Sequence, residues 1–296
     1  NFFLGTEFYS AVIREILANP EAYGRSEYGR DEKVMVEFVS ANPTGPMHMG
    51  NARGGALGDC LAAVLDKAGY NAWREFYVND AGNQIEKFGC SLEARYLQIF
   101  KGDEIEFPED GYQGEDIKDL AKEYADLNGD SLVNVSAEER KKALVDYALP
   151  KNIKKMQADM EKYKIFYDKW FFESELHKSG AVKAVVDLLT EKGLTYEKDG
   201  AVWYKNKEVL TQKLLKEGKS QKYIDNLELK DDVLIRQNGN PTYFTADIAY
   251  HKNKFDRGFT TLIDVWGADH HGHVMRMKGA MDAIGYDGDT LNVVLM

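Results

Sequence analysis

The chain has 296 residues, 44% of them hydrophobic, and a formal net charge of −11, enough for a large core and more than one structural unit. The acidic balance argues against a sequence-blind nucleic-acid binder, which neutralises phosphates with clustered Lys and Arg. No apolar run approaches a bilayer span, no signal peptide opens the chain, and Cys60 and Cys90 lack a Cys-x-x-Cys spacing; the expected setting is the cytoplasm, with no disulfide and no membrane partner.

Thr6–Ala18 alternates apolar and polar positions at helical spacing and forms a leading helix within a lead-in of residues 1–32. The alternating run at 34–39, Val-Met-Val-Glu-Phe-Val, reads as a buried strand. A Gly/Pro turn follows, Asn42-Pro43-Thr44-Gly45-Pro46-Met47-His48-Met49-Gly50-Asn51, and then small and apolar residues suited to a helix at 52–67. Beyond the turn Gly69-Tyr70-Asn71 come a strand at 72–78 and a helix after Asn79-Asp80. Strand-helix-strand-helix at this length is the pattern of a parallel sheet, and residues 33–99 are its first half. A helix beginning near His48, at a strand's carboxyl end, gathers free N–H groups and a positive dipole end where an α/β sheet can hold phosphate.

The rhythm breaks from about residue 100. Gly102-Asp103-Glu104, Pro108-Glu109-Asp110-Gly111 and Asn128-Gly129-Asp130 are turn signals with helices between them, up to residue 149. Ser136 reads as a helix cap with Glu139 completing a capping box, in preference to the sequon Asn134-Val135-Ser136. A separate helix is expected at 151–163, a strand or extended segment at 164–172 and a helix at 181–192. Asp199-Gly200 and Asn238-Gly239 each sit between β-prone runs, the latter between 233–236 and 242–245, and predict hairpins. Residues 100–235 are therefore expected as an inserted or connecting segment. Residues 236–296 form the second half: a helix at 246–255, a strand at Thr261–Trp266, a helix at about His271–Ile284 and a last strand. Both ends look cut, at Asn1 before the apolar Phe2-Phe3-Leu4 and within the apolar run at 291–296, so a fragment is expected. The fold class is α/β, a Rossmann-type doubly wound parallel sheet split by a largely helical and antiparallel insertion.

Two strand ends carry candidate chemistry. Around His48, Gly50 leaves room for close approach of a nucleotide and His48 can donate to a phosphate oxygen. After Trp266, Gly267-Ala268-Asp269-His270-His271-Gly272-His273 offers Asp269 to ribose hydroxyls and Gly267 as space for an adenine ring. Three histidines beside an aspartate also suit a metal, but their crowding at one helix entry makes convergence on one ion awkward, and no protein metal site is expected. His273 is read as an exposed side chain. Gly218-Lys219-Ser220 resembles a P-loop end, yet Lys213 stands where the first glycine is required, and a polar helix end is the better reading.

The turn at 42–51 resembles the HIGH-type signature of class I aminoacyl-tRNA synthetases, and its lead-in Ala41-Asn42-Pro43-Thr44-Gly45-Pro46 is similar to the arginyl-tRNA synthetase form. Arg74-Glu75-Phe76-Tyr77-Val78-Asn79-Asp80-Ala81-Gly82-Asn83-Gln84-Ile85 agrees, as does Tyr243-Phe244-Thr245-Ala246-Asp247-Ile248-Ala249-Tyr250-His251 together with the block at 266–273. The resemblance implies ATP-dependent activation of L-arginine to arginyl-adenylate, with Mg²⁺ accompanying ATP, and transfer to tRNA(Arg). It implies His48 and Asn51 as catalytic, with Thr44, His48, Gly50, Asn51, Gly267, Asp269 and His270 on ATP. Asn42 would take the head group of arginine and Glu173, Tyr243 and Asp247 its side chain, Tyr243 and Asp247 being one helical turn apart. The family usually has a second histidine where this chain has Asn51. A KMSKS-type loop is expected beyond Met296, since Lys219-Ser220-Gln221-Lys222 only echoes it and precedes the second half. The resemblance further implies a helical anticodon-binding domain downstream, tRNA contacts mostly outside this chain and a monomer, so the chain is expected to bind arginine or ATP but to turn over poorly. Another class I synthetase, or a non-catalytic nucleotide-binding module of the same fold, is the alternative reading.

Overall fold

The computed structural model describes residues 1–296 apart from the side chains of Asp103, Asp269 and His271. A five-stranded, all-parallel sheet runs through its centre in the order β3-β2-β1-β7-β8. Its strands are β1 (Lys33–Glu37), β2 (Asn71–Val78), β3 (Lys169–Phe172), β7 (Thr261–Trp266) and β8 (Leu291–Leu295). The first three strands build outward from β1 in one direction, and the chain then returns to place β7 on the other side of β1. This reversal leaves a crevice outside the carboxyl ends of β1 and β7, where doubly wound sheets bind ligands.

β1 is buried on both faces, which is why Val34, Met35 and Val36 follow one another without a polar residue between them. Met35 joins a core with Leu262 and with helices α7 (Ala181–Glu191), α10 (Tyr243–Asp256) and α11 (His271–Ile284). Val36 and Phe38 face the opposite way, onto Ala62 of α2 (Met49–Lys67) and Met160 of α5 (Ala137–Lys162). Gly58 of α2 lies against Phe38, where a Cβ would come within 2.1 Å of the ring, so the small residues of this helix let it approach the sheet. A satellite core joins α3 (Asn83–Lys101), α4 (Glu115–Asn128) and the first half of α5 through Phe88, Leu92, Ile117 and Leu144. A small antiparallel sheet of β4 (Thr195–Lys198), β5 (Ala201–Tyr204) and β6 (Asp232–Ile235) packs Tyr204 and Leu234 beside Phe244 of α10. The leading helix, α1 (Thr6–Ala18), buries none of its side chains.

Four local expectations change. The separate helices up to 149 and from 151 are one, α5, which runs through Pro150. Proline costs an interior helix about 3 kcal/mol or more. A stripe of buried residues every fourth position, Arg140, Leu144, Ala148, Asn152, Met156 and Met160, continues across it and outweighs that loss. β3 lies within the 100–235 segment yet forms the edge of the parallel sheet, pairing with β2 from Glu75↔Lys169 to Val78↔Phe172. The turn at Asn238-Gly239 is present, with Arg236 N donating to Asn240 O at 2.9 Å, but the predicted strand at 242–245 is the start of α10. Thr242 donates through Oγ1 to Val233 O (2.7 Å) and Thr245 to Leu234 O (2.7 Å), so the side chains of this segment, after one bridge at Pro241, engage β6 in place of a backbone ladder. Ser136 caps α5 by accepting from Glu139 N at 3.2 Å, and the reciprocal half of the box is not formed.

Candidate active site

Past β1 the backbone turns sharply. Val39 and Ser40 both adopt left-handed conformations, φ 71° and 42°, which a β-branched residue such as valine enters only under strain. Ser40 holds the bend: its Oγ donates to Glu37 Oε1 (2.7 Å) and accepts from Tyr77 N (3.1 Å). The bend carries Asn42 between two adjoining cavities, which share Val39, Ser40 and Asn42 as walls.

The smaller cavity, about 400 Å³, is lined by Thr44, His48, Asn51 and, from the helical segment, Tyr112. His48 is the N-cap of α2 and accepts from Gly50 N through Nδ1 (3.1 Å), while Asn51 Oδ1 accepts from His48 N (2.9 Å). This reciprocal cap fixes the imidazole. With Nδ1 committed as an acceptor, the neutral ring carries its proton on Nε2 and presents it as a donor. The helix dipole adds to any field favouring anionic oxygens here. Asn152 of α5 braces the approach by donating to Pro43 O at 3.0 Å. Gly50 lines neither cavity: a Cβ there would sit 2.9 Å from His48 Cε1, so in this structure the glycine makes room for the imidazole.

The larger cavity, about 680 Å³, opens between the ends of β1, β2 and β7 and the first turns of α10 and α11. Asn42, Glu173, Tyr243 and Asp247 all line it, as do Gly267 and His270. Glu173, which opens α6 (Glu173–Lys178), is buried and accepts from Tyr77 OH at 2.9 Å, with His177 Nε2 3.2 Å from its other oxygen. An Asn79 amide turned with its nitrogen inward also donates to Glu173 Oε2, at 2.9 Å. Burial pushes the Glu173 carboxyl up despite these donors. Asp247 behaves in the opposite way. Burial works to raise it, but the imidazoles of His251 (Nδ1–Oδ1 3.0 Å) and His273 (Nε2–Oδ2 2.6 Å) outweigh that and hold it well below the usual carboxylate range. The cavity thus holds one firmly ionised carboxylate and one whose charge is opposed by burial, a combination suited to a cationic group.

Beneath the cavity, three acids stand side by side across the sheet: Glu75, Glu37 and Asp264 are register partners on β2, β1 and β7. Like charges so placed repel. Cations from α10 and its C-cap answer them. Arg257 forks onto both oxygens of Glu75 at 2.7 Å each, and Lys254 bridges Glu37 (2.6 Å) and Asp264 (2.8 Å). His251 Nε2 lies 2.7 Å from Asp264 Oδ2. Burial pushes Glu37 up, whereas Lys254 and His251 outweigh burial at Asp264 and hold it low.

The sequence-predicted residues therefore fall into two adjoining groups, Thr44, His48 and Asn51 in one cavity and Glu173, Tyr243, Asp247, Gly267 and His270 in the other, with Asn42 in both. The side chain of Asp269 lies outside the described residues. His273, expected to be exposed, is half-buried and bound to Asp247. Ser40, Tyr77, His251 and the acid row were missed. An i, i+4 Asp-His pair on one helix and single acids within otherwise apolar strands are the signals that point to them. The P-loop look-alike is a helix cap: Ser220 accepts from Tyr223 N at 3.3 Å. Among the described residues no group of three or more His, Cys, Asp or Glu is arranged to hold a metal ion, and no helix is long and apolar enough to cross a membrane.

Residues 12–295 match the family model for the catalytic domain of class I tRNA synthetases (R). The chain is 56% identical over its whole length to an arginine–tRNA ligase of Ruminiclostridium cellulolyticum and 57% to one of Caldanaerobacter subterraneus, covering half of each. It thus spans about half the length of the curated relatives it matches. Among solved structures, a putative arginyl-tRNA synthetase from Campylobacter jejuni superimposes with a TM-score of 0.83 at 36% identity, over 99% of this chain and 60% of that one. The Thermus thermophilus arginyl-tRNA synthetase, at 20% identity and a TM-score of 0.66 over 100% of this chain and 52% of that one, shares the fold. With a His48-capped helix and an acidic cavity meeting at the sheet's switch point, the chain belongs to the class I arginyl-tRNA synthetase catalytic-domain family.

Proposed function

We propose that the protein containing this chain activates L-arginine with ATP and transfers it to tRNA(Arg). The observation that carries this reading is the junction at Ser40 and Asn42. A cavity with acids for a guanidinium meets there a cavity with a fixed imidazole and a helix N-terminus for phosphates. Asp247 and Glu173 would receive the guanidinium, Tyr243 would flank it, and Asn42 would hold the amino-acid head group between the two cavities. ATP would lie with its phosphates along Thr44, His48 and Asn51 and its nucleoside toward Gly267, Asp269 and His270.

In the first step a carboxylate oxygen of arginine bonds to the α-phosphorus while the bond to the pyrophosphate oxygen breaks, giving arginyl-adenylate and pyrophosphate. A terminal ribose hydroxyl of tRNA then attacks the activated carbonyl and AMP leaves. Neither step needs a side-chain nucleophile. Alignment of the reactants and stabilisation of charge on the phosphates supply the acceleration, with His48 Nε2–H and Asn51 as donors to the phosphate oxygens. Mg²⁺ would travel with the triphosphate and neutralise its charge. We place the protein in the cytoplasm as a monomer whose tRNA contacts lie mostly outside these residues.

Arginine-dependent ATP–pyrophosphate exchange by the full-length protein, with tRNA(Arg) present, tests the reading. Exchange that arginine supports and lysine does not, and that Asp247→Ala abolishes, is expected. Exchange driven by a different amino acid, or none with any, would overturn it.

A further inference from the structure

Asp247 stands in the first turns of α10, and His251 follows it one turn later, pointing into the sheet. His251 is 1% exposed; its Nε2 lies 2.7 Å from Asp264 Oδ2, and its Nδ1 is shared between the backbone carbonyl of Asp247 at 2.9 Å and Asp247 Oδ1 at 3.0 Å. Asp264 is itself fixed by Lys254, which also holds Glu37 on the neighbouring strand. Asp247 is therefore tied through one imidazole to the middle of the parallel sheet. Its Oδ2 has a different partner, His273 Nε2 at 2.6 Å, on a side chain that is 20% exposed at the cavity wall. One oxygen is anchored from below and the other meets the cavity.

We propose that His251 is a positioning residue of this site, pinning Asp247 Oδ1 to Asp264 of the sheet so that Oδ2 is presented to the cationic end of the substrate. The proposal rests on the reading that Asp247 receives arginine. A guanidinium binds a carboxylate as a fork, and the strength of that contact depends on the carboxylate's orientation being set beforehand. The charge around the imidazole fits the task. Asp247 and Lys254 face it from α10, Asp264 from β7 and Glu37 from β1 through Lys254, with Tyr250 beside it and His273 reaching it through Asp247. Burial and Lys254 work against a proton on His251, but the two carboxylates outweigh them and push it up to about 10. Both ring nitrogens then donate at neutral pH, so the one imidazolium faces both carboxylates at once. A neutral ring could serve only one of them.

The full-length protein with His251→Gln, and separately Asp264→Asn, tests this through the Michaelis constants of tRNA-supported ATP–pyrophosphate exchange. Glutamine has a single donor end and cannot bridge both acids. Losing a hydrogen bond to a charged group, the variants should raise the arginine KM by about tenfold or more and leave the ATP KM and kcat within about twofold. A side-chain nitrogen NMR spectrum of the wild type should show His251 doubly protonated at about pH 8, well above the ordinary imidazole range. Arginine and ATP constants that rise together, unchanged constants in both variants, or a neutral His251 at that pH would overturn the assignment. Should glutamine prevent folding, the asparagine variant and the spectrum decide. A wild type indifferent to arginine would count against the arginine reading itself, and the spectrum would still decide whether His251 bridges the two acids.

Discussion

The cap uses one ring nitrogen of His48, and the proposed role on phosphate falls to the other. Nδ1 is spent on Gly50 N, so the ring cannot rotate without uncapping α2, and Nε2 is left to act on a ligand. His48→Asn separates the roles, because asparagine is among the best N-caps but lacks the outer donor. Its expected signature is stability within about 1 kcal/mol of wild type and a kcat lower by about 10²–10³-fold, as for loss of one preorganised donor. Retained kcat would show that the ring only caps. Gly50→Ala should act on the same group from beneath, since its methyl would meet the ring at 2.9 Å and displace it. Its kcat should fall while arginine and ATP still bind, measured by calorimetry. His251 carries the clearest pH dependence. Its proton is held to about 10 in the folded chain against an ordinary 6.5, so its contribution is full below 6.5 and is lost as pH rises toward 10. Denaturation of wild type and His251→Gln should give a stability difference that shrinks across that window. A difference independent of pH there would contradict the bridging imidazolium.

Among the elements, α10 has a placement that depends on charge. His251 and Lys254 on the helix and Arg257 at its C-cap meet the acid row Asp264, Glu37 and Glu75, which fixes the rotation of the helix over the sheet. Lys254→Met should cost about 3–5 kcal/mol in urea unfolding, because two buried carboxylates on neighbouring strands lose their shared cation. A cost below about 1 kcal/mol would place the row's stabilisation elsewhere. α5 offers the converse case: with its buried stripe unbroken across Pro150, Pro150→Ala should stabilise the chain rather than disturb it. Elements whose period is local were legible in the sequence. β7 and α11 fall where alternation and helical spacing put them, to the residue, whereas β1, expected at 34–39, ends at Glu37 because the chain bends at Val39 although the alternation runs on. What was not legible depends on partners far along the chain. β3 gains its place from a strand some ninety positions earlier, with Trp170 opposite Phe76. Residues 242–245 have the β-branched and aromatic look of a strand, yet their hydroxyls bond to β6 and the helix starts there. The same limit hid His251, whose role exists only once α10 is laid on β7.

At the scale of the molecule, the sheet order places the carboxyl ends of β1 and β7 side by side, and the two sequence blocks at 42–51 and 266–273 meet although more than two hundred residues separate them. The strained bend at Val39 and Ser40 sits at that meeting point and gives Asn42 a place in both cavities. On the proposed reading one ligand spans both hollows, and a crystal structure of the full-length protein with a non-hydrolysable arginyl-adenylate analogue would show where its two ends lie. The guanidinium should lie against Asp247 and Glu173, the phosphate surrogate within hydrogen-bonding distance of His48 Nε2, and the adenosine toward Gly267 and His270. An analogue bound with its guanidinium away from Asp247, or with His48 directed away from the phosphate surrogate, would contradict it.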